Sequence, residues 1–342
     1  MGPARRVATG VALAGLTGCA IALAIDPAAA LRGWLVGHHT WLGLTLGALA
    51  LACIHALTGG RWGELLAPTL DAMRRPLVLL AALLLPLFFD LGAVFPWARP
   101  EPQHPALIAH RAPWLSPLPF TLRALLYFGL WIGLDAALRR FKTAAGPALI
   151  LLAFSLVFAG TDWVMSVETA FTSTMVGLLL LSGAGAGGLA AALAITITRG
   201  HLPGEGKTRR DLGNLLLAAV MLTAYCAFSQ YLLIWSADLP EENPWYLHRA
   251  AHGWSWIAAA LAVFYLAVPF FALLSTALKA RARGLLAVAG LVLVMHAVNT
   301  IWLITPSFGA VLPWPELCAI AAIGGAWAWV VLRALEATES SA

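Results

Sequence analysis

Residues 34–57 read WLVGHHTWLGLTLGALALACIHAL, a run without a single Lys, Arg, Asp or Glu. A helix of about 20 apolar residues crosses the roughly 30 Å hydrocarbon core of a bilayer. Only helices and closed barrels satisfy their backbone groups in lipid, and this run lacks the alternation typical of barrel strands. The stretch therefore predicts a transmembrane helix.

Nine further stretches of the chain have the same character. The ten predicted spans are 7–25, 34–57, 76–95, 120–138, 146–165, 170–197, 211–236, 252–278, 284–304 and 314–333. Hydrophobic residues make up 61% of the chain and charged residues 11%, against about 25% charged in soluble proteins. We therefore expect an all-α integral membrane protein with ten transmembrane helices, forming one polytopic domain over residues 1–342.

The basic residues predict the orientation. Of the 21 Lys and Arg residues, 16 lie at the termini or in alternate loops, and we call that side the inner side. The outer side carries only Arg32, Arg99, Arg111, Arg123 and Arg249. Because Lys and Arg concentrate in cytoplasmic loops, we expect a multi-pass protein of the bacterial inner membrane with both termini in the cytoplasm. The net charge of +5 is thus a topology signal and does not indicate nucleic-acid binding.

The two longest outer loops, 96–119 and 237–251, share a short motif. Each carries His-Arg-Ala just before the next span, at 110–112 and 248–250. Spans 2–5 and 6–9 would start on the same side, so an internal repeat is geometrically possible. We expect two four-helix bundles, residues 34–165 and 170–304, with the first and last helices peripheral.

The sixth span contains a run of small residues, Ser182 to Gly188. Small residues let helices approach closely in lipid, so close helix packing is the expected role, with a substrate crevice as the alternative. The four cysteines lie inside spans without a Cys-x-x-Cys pair, so neither an iron–sulfur cluster nor a zinc site is expected. Leu16 to Cys19 resembles a lipoprotein cleavage box, but an unprocessed first helix is the expectation.

Ionisable groups within spans are costly and therefore candidates for function. An outer group comprises Asp90, Asp162, Gln230 and Asn299; an inner group comprises His55, Asp135 and Asn214; His296 lies between them. We predict a proton path through His55, Asp90, Asp135, Asp162, Gln230 and His296. The alternative for each carboxylate is local pairing with an Arg or a backbone donor, which is favoured for Asp135 because Arg139 lies one turn away. The histidines lack the facing pairs that haem ligation needs, so no haem or metal is expected.

Several motifs carry a family resemblance. They are residues 55–63 (HALTGGRWG), 162–168 (DWVMSVE), 227–231 (AFSQY), 234–235 (IW), 240–242 (PEE), 245–249 (WYLHR), 294–296 (VMH) and 302–303 (WL). Together they resemble the ten-helix, NrfD-type membrane subunits of bacterial alternative complex III, a quinol:electron-acceptor oxidoreductase, and most of all its F subunit. The resemblance extends over spans 2 to 9.

The resemblance implies a subunit without ligated cofactors that packs beside a sister NrfD-type membrane subunit. Iron–sulfur and cytochrome c subunits would complete the complex, with lipids around it and quinone as a possible ligand. It also implies a proton pathway. The chain departs from the family pattern at Thr169-Ala170, Asn214 and Asn299. Because an amide does not titrate, continuous proton relay through the ninth span is in doubt.

Two functions remain open at this point. The first is a structural subunit of a quinol-oxidising complex, with proton conduction or quinone contact as further roles and no catalysis by the chain alone. The second is a stand-alone proton-coupled secondary transporter with a midplane site. Both would use buried carboxylates and a repeat. Co-purification with redox subunits would favour the first, and solute uptake by the isolated protein the second.

Overall fold

The computed structural model describes residues 2–102, 105–202, 206–240, 242–309 and 313–340, which are helical with no β-strand among them. Glu241 of the PEE motif lies outside these ranges. The predicted all-α class is confirmed for the described part of the chain.

The α-helices are α1 Pro3–Ile25, α2 Pro27–Thr58, α3 Arg61–Arg74, α4 Leu77–Leu83, α5 Leu91–Val94, α6 Pro105–Arg111, α7 Pro117–Arg140, α8 Ala145–Trp163, α9 Met175–Thr198, α10 Gly206–Ala237, α11 Asn243–Ala250, α12 Trp254–Ala260, α13 Val268–Leu274, α14 Thr276–Lys279, α15 Ala282–Ile304 and α16 Trp314–Ser340. A π-helix, Leu261–Ala267, joins α12 to α13, and short 3-10 turns occur at Leu85–Phe88, Pro96–Ala98, Lys142–Ala144, Met165–Val167 and Thr305–Phe308.

Nine helical segments within the described ranges are long and apolar enough to cross a membrane. They are Pro3–Ile25, Pro27–Thr58, Pro117–Arg140, Lys142–Val167, Met175–Thr198, Gly206–Ala237, Trp254–Leu274, Ala282–Phe308 and Trp314–Ser340. This supports a multi-pass membrane protein. The predicted count of ten single helices is not confirmed, because the third predicted span, residues 76–95, is divided into α4, a 3-10 turn and α5.

Proline explains the division of the third span. Pro86 has no N–H to donate and clashes with the carbonyl one turn earlier, so an α-helix cannot continue through it. Side chains of α2 contact carbonyls near this break: Leu83 O accepts from Trp34 Nε1 at 2.7 Å, and Leu80 O, which also accepts the Leu84 amide, lies 2.9 Å from His38 Nε2. The divided segment thus lies along α2.

Local residues explain where α2 begins and where it ends. Asp26 caps the N-terminus by accepting from the Ala29 amide at 3.0 Å, which is the preferred use of Asp there. Pro27 occupies the first turn, where its missing N–H costs nothing. Gly59 and Gly60 end the helix at φ values of 67° and 99°, which glycine adopts without a Cβ penalty.

The core of the molecule is the pair α2 and α9. In α9, 67% of the most apolar window is buried inside the protein, against 17% in α1. The two helices cross at Gly47 and Gly188, where a Cβ on Gly47 would overlap the Ala184 carbonyl oxygen and one on Gly188 would lie 2.9 Å from Gly47 C. The predicted packing role of the small-residue run is confirmed at this crossing.

The predicted two-bundle arrangement remains a prediction. Helix α9 packs against α2 and α8 on one side and also against α10 and α15. It therefore contacts elements of both predicted halves. Helix α1 packs chiefly on α16, and α16 packs on α2. The outer ends of α2, α8 and α15 and the outer loops meet above this core, and the candidate site lies there.

Candidate functional site

A cavity of about 440 Å³ lies in the outer half of the molecule, between α10, α11, α15 and the segment α12–π-helix–α13. Its lining residues are Leu179, Thr223, Ala227, Gln230, Tyr231, Tyr246, Arg249, Ala250, Ser255, Ala258, Leu261, Ala262, Tyr265, Leu266, Asn299 and Trp302. Apolar walls with a few polar groups, and a volume of roughly 300–1,000 Å³, are typical of small-molecule sites. We call it the outer cavity.

Three residues that line the outer cavity each have one buried polar atom without a hydrogen-bond partner among the described residues: Gln230 Oε1, Tyr265 Oη and Trp302 Nε1. Gln230 is only 1% exposed and Tyr265 only 3%. A buried polar group without a partner costs about 1–3 kcal/mol, and such groups are rare in folded proteins. Two donors and one acceptor around one cavity therefore indicate a ligand with both kinds of hydrogen-bonding group.

The π-helix creates the space for this cavity. Pro269 cannot donate to the Tyr265 carbonyl, so the regular i→i−4 pattern is interrupted at this turn. The wider turn places Tyr265 in the cavity wall, and the alanines Ala258 and Ala262 leave the volume open. Short π-helical segments occur frequently at functional sites.

Arg249 forms the outer wall of the cavity. Its side chain is almost fully buried and donates to Glu168 Oε1 at 2.9 Å and to the Trp245 carbonyl at 2.8 Å. It also reaches the Trp302 and Leu303 carbonyls at 3.1 and 2.5 Å. Burial lowers the pKa of Arg249 to about 10, and the Glu168 carboxylate opposes that shift. The guanidinium therefore stays charged at neutral pH.

Glu168 lies on the other side of Arg249 and faces a second cavity of about 530 Å³. It accepts from Ser307 Oγ at 2.6 Å and lies 3.3 Å from His248 Nδ1. We call this second cavity the outer vestibule; its lining residues are Arg32, Pro96, Arg99, Leu107, Val167, Glu168, Thr169, Ala170, Phe171, Pro240, Pro244, His248, Ser307 and Phe308. The Arg249–Glu168 ion pair thus separates the outer cavity from the outer vestibule.

Asp162, a predicted proton-path residue, is saturated with donors. Arg123 binds both of its oxygens at 2.8 Å, and the Trp114 indole and the Tyr127 hydroxyl each donate at 2.8 Å. The carboxylate is fully buried, and Arg123 stacks on Trp114 with 3.9 Å between its central carbon and the ring centre. Four hydrogen bonds, two of them from the bidentate Arg123 guanidinium, therefore satisfy both carboxylate oxygens. This geometry corresponds to the local-pairing alternative.

Asp90 and Asp135 also have local partners. Asp90 is exposed and caps α5 by accepting from the Ala93 amide at 3.1 Å, so the expectation that it lies within a continuous span is wrong. Asp135 binds Arg139 at 2.8 Å, as expected from their spacing, and additionally Arg74 at 2.7 Å. Arg74 also pairs with Asp71.

The two predicted histidines occupy different environments. His55 lies at the inner end of α2 and packs edge-on against Trp62, with 5.4 Å between ring centres. His296 is buried, with Nε2 3.3 Å from the Thr40 carbonyl and Nδ1 without a partner among the described residues. His38 and His39 are also buried, and they directly precede Thr40, whose carbonyl faces His296. The six predicted residues are therefore spread along the molecule, and only Gln230 lines the outer cavity.

Some residues of the site escape sequence reasoning. Arg249 and Glu168 lie within the quoted motifs, yet nothing in the sequence pairs two residues 81 positions apart. Tyr265 lies in an apolar span and gives no signal, because one hydroxyl does not alter the hydropathy of its segment. Trp302 resembles the other tryptophans of the outer ends in sequence, and its unpartnered indole N–H, a feature that Trp245 shares, is visible only in the structure.

Among the residues that the structure describes, no three His, Cys, Asp or Glu side chains are grouped so that they could hold a metal ion. Neither protein-family models nor curated protein sequences match the chain.

Proposed function

We propose that this chain is a membrane subunit of a quinol:electron-acceptor oxidoreductase of the alternative complex III type, without ligated cofactors and without catalysis of its own. The outer cavity would be its contact with quinone. The proposal rests on the motif resemblance and on one structural observation, the three unpartnered polar atoms around an apolar cavity.

The polar groups suit a quinone or quinol headgroup. The Tyr265 hydroxyl and the Trp302 indole can donate to ring carbonyls, and Gln230 Oε1 can accept from a ring hydroxyl. The alanine and leucine residues of the wall suit an apolar ring and the start of an isoprenoid chain. A ligand that satisfied all three atoms would remove their desolvation penalty, which supports specific binding rather than partitioning of a hydrocarbon.

We also propose that any proton released through this subunit leaves by way of the outer vestibule. Glu168 and His248 lie beside Arg249 and line the outer vestibule. They could pass a proton from the edge of the outer cavity outward. Asp162 is held by Arg123 and Asp90 is exposed, so neither joins these two cavities.

Quinone contact can be tested by binding to the purified complex. We expect Tyr265→Phe and Gln230→Leu to weaken binding of a short-chain quinone analogue by about tenfold each, since each removes one hydrogen bond worth about 1.4 kcal/mol. Tyr225→Phe is the matched control, because Tyr225 lies on α10 with its side chain 67% exposed. If all three variants bind the analogue with the affinity of the wild type, the outer cavity is not the quinone site.

The complex itself can be tested by purification from native membranes. We expect the tagged chain to bring down haem- and cluster-bearing subunits with quinol oxidation activity, and deletion of the chain to impair that activity. If the complex assembles and oxidises quinol fully without the chain, the assignment is wrong. Solute uptake by the isolated protein in vesicles would then favour the transporter.

The proposed location is the bacterial inner membrane with both termini in the cytoplasm. Leu239 is exposed just after α10 and Lys207 is exposed in its first turn, so the two are predicted to lie on opposite sides of the membrane. A single cysteine at Leu239 should react with an impermeant thiol reagent applied from the outer side, and one at Lys207 should not. The reverse labelling pattern would invert the topology.

A further inference from the structure

The outer vestibule is surrounded by outer loops. Its walls come from the start of α2, the turn Pro96–Ala98, α6, the segment following α8, α11 and the turn Thr305–Phe308. All of these lie at the outer ends of spans or in outer loops. The vestibule therefore lies on the side that is predicted to face the outer aqueous phase.

Two arginines of the vestibule have an unusual set of contacts. Arg32 Nε donates to the Ala93 carbonyl at 2.9 Å, and Arg99 Nε donates to the Gly92 carbonyl at 3.1 Å. Both carbonyls belong to α5, a four-residue helix whose terminal carbonyls have no partner within the helix. These contacts fix both guanidiniums through Nε. Among the described residues, the two terminal nitrogens of each make no hydrogen bond or ion pair.

The arginines are also close to each other. They bind the carbonyls of two adjacent residues, Ala93 and Gly92, and the Arg32 guanidinium lies over the Phe308 ring at 4.6 Å from the ring centre. Arg prefers a planar, bidentate oxyanion at its terminal nitrogens. Two such groups on one cavity, on the side of the protein where arginine is scarce, indicate an anionic partner.

Among the described residues, the nearby acids Glu168, Asp26 and Glu316 each have another partner, although Glu316 Oε2 has none. Glu168 is held by Arg249, Ser307 and His248. Asp26 caps α2, and Glu316 accepts from Thr305 Oγ1 at 3.0 Å. Neither Asp26 nor Glu316 forms an ion pair with Arg32, although both influence it at longer range. Within the described residues, the pair Arg32 and Arg99 thus lacks a carboxylate partner.

We propose that the outer vestibule receives an acidic side chain of a peripheral protein that docks on the outer face, with its carboxylate bound by Arg32 and Arg99. The inference rests on the proposed function, which requires peripheral subunits. A side chain fits better than a free anion because Pro96, Leu107, Pro240 and Phe308 offer apolar contact around the two charges. The two guanidiniums would bind the carboxylate, and the apolar residues around them would contact the methylene groups of the acidic side chain and its neighbours.

Carbodiimide coupling of the purified complex tests this directly. In Arg32→Lys and Arg99→Lys the charge is kept and an amine is introduced, which the reagent joins to a carboxylate in contact with it. Arg111→Lys is the matched control. Arg111 is an outer arginine outside the vestibule that donates to the Thr169 carbonyl and has no carboxylate partner among the described residues. We expect both vestibule variants to couple to an Asp or Glu of a peripheral protein, and the control to give at most about a tenth of that yield.

Three results would overturn the proposal: no coupling, coupling only to acids of this chain, or equal coupling in the control. A free anion is tested separately with inorganic phosphate. If phosphate raises the melting temperature of the wild type but not of Arg32→Gln/Arg99→Gln, and no coupling is found, the vestibule is an anion site without a protein partner. Coupling to an acidic protein that carries no redox centre would support the docking site and contradict the proposed function.

Discussion

Two buried polar regions of this protein differ in one respect. Around Asp162, every carboxylate oxygen has donors, supplied by Arg123, Trp114 and Tyr127. Around the outer cavity, Gln230, Tyr265 and Trp302 each keep one atom without a partner among the described residues. A saturated cluster needs nothing more and stabilises the fold, whereas an unsaturated one retains a penalty that a ligand can remove. Hydrogen-bond saturation thus separates structural from functional candidates better than burial does.

The largest effect is expected from breaking the saturated cluster. Asp162→Asn removes the negative charge that balances Arg123 and replaces one of the two oxygens that its guanidinium binds. Removal of one member of a buried ion pair costs about 3–5 kcal/mol. We expect a clear fall in melting temperature in detergent. Asp90→Asn is the matched control, because asparagine caps helices as well as aspartate.

A double variant sharpens the same test. Replacing both charges, as in Arg123→Met/Asp162→Leu, should restore much of the stability, because buried pairs can often be exchanged for apolar residues. If the double variant is stable and the complex releases protons normally, Asp162 is structural. Stable protein with lost proton release would return Asp162 to the proton path.

An intermediate effect is expected at the inner side. Asp135→Asn weakens the contacts with Arg74 and Arg139, but Arg74 keeps its pairing with Asp71. Because one partner remains and the site is partly exposed, we expect a loss of about 1–3 kcal/mol. Quinol turnover per folded complex should stay unchanged. A large fall in turnover at normal stability would assign Asp135 a role in proton transfer.

The smallest effect on stability is expected at the outer cavity. Tyr265→Phe removes a hydroxyl without a partner, so the free energy of unfolding should change by less than about 1 kcal/mol or rise slightly. A loss comparable to that of Asp162→Asn would show that the hydroxyl has a structural partner, and the comparison between the two regions would fail.

Local patterns in the sequence predicted much of the architecture and less of the site. Asp135 and Arg139 are one turn apart, so their contact follows from helix geometry alone. The helix crossing at Gly188 follows from its small neighbours. Pairs such as Arg123 with Asp162 join different helices, and hydropathy contains no information about which faces meet. The division at Pro86 was missed because averaging over 20 apolar residues conceals a single missing donor.

The divided third span also bears on how this protein is made. Its segment follows α2 from Leu80, whose carbonyl faces His38, to Ala93, whose carbonyl accepts from Arg32. The carbonyls of Leu83, Gly92 and Ala93 accept from the side chains of Trp34, Arg99 and Arg32, which lie outside the segment. In lipid alone those carbonyls would have no partners. If the segment 76–95 crosses the membrane, we expect it to need α2 beside it as it inserts, so that insertion and tertiary packing would be coupled for this part of the chain.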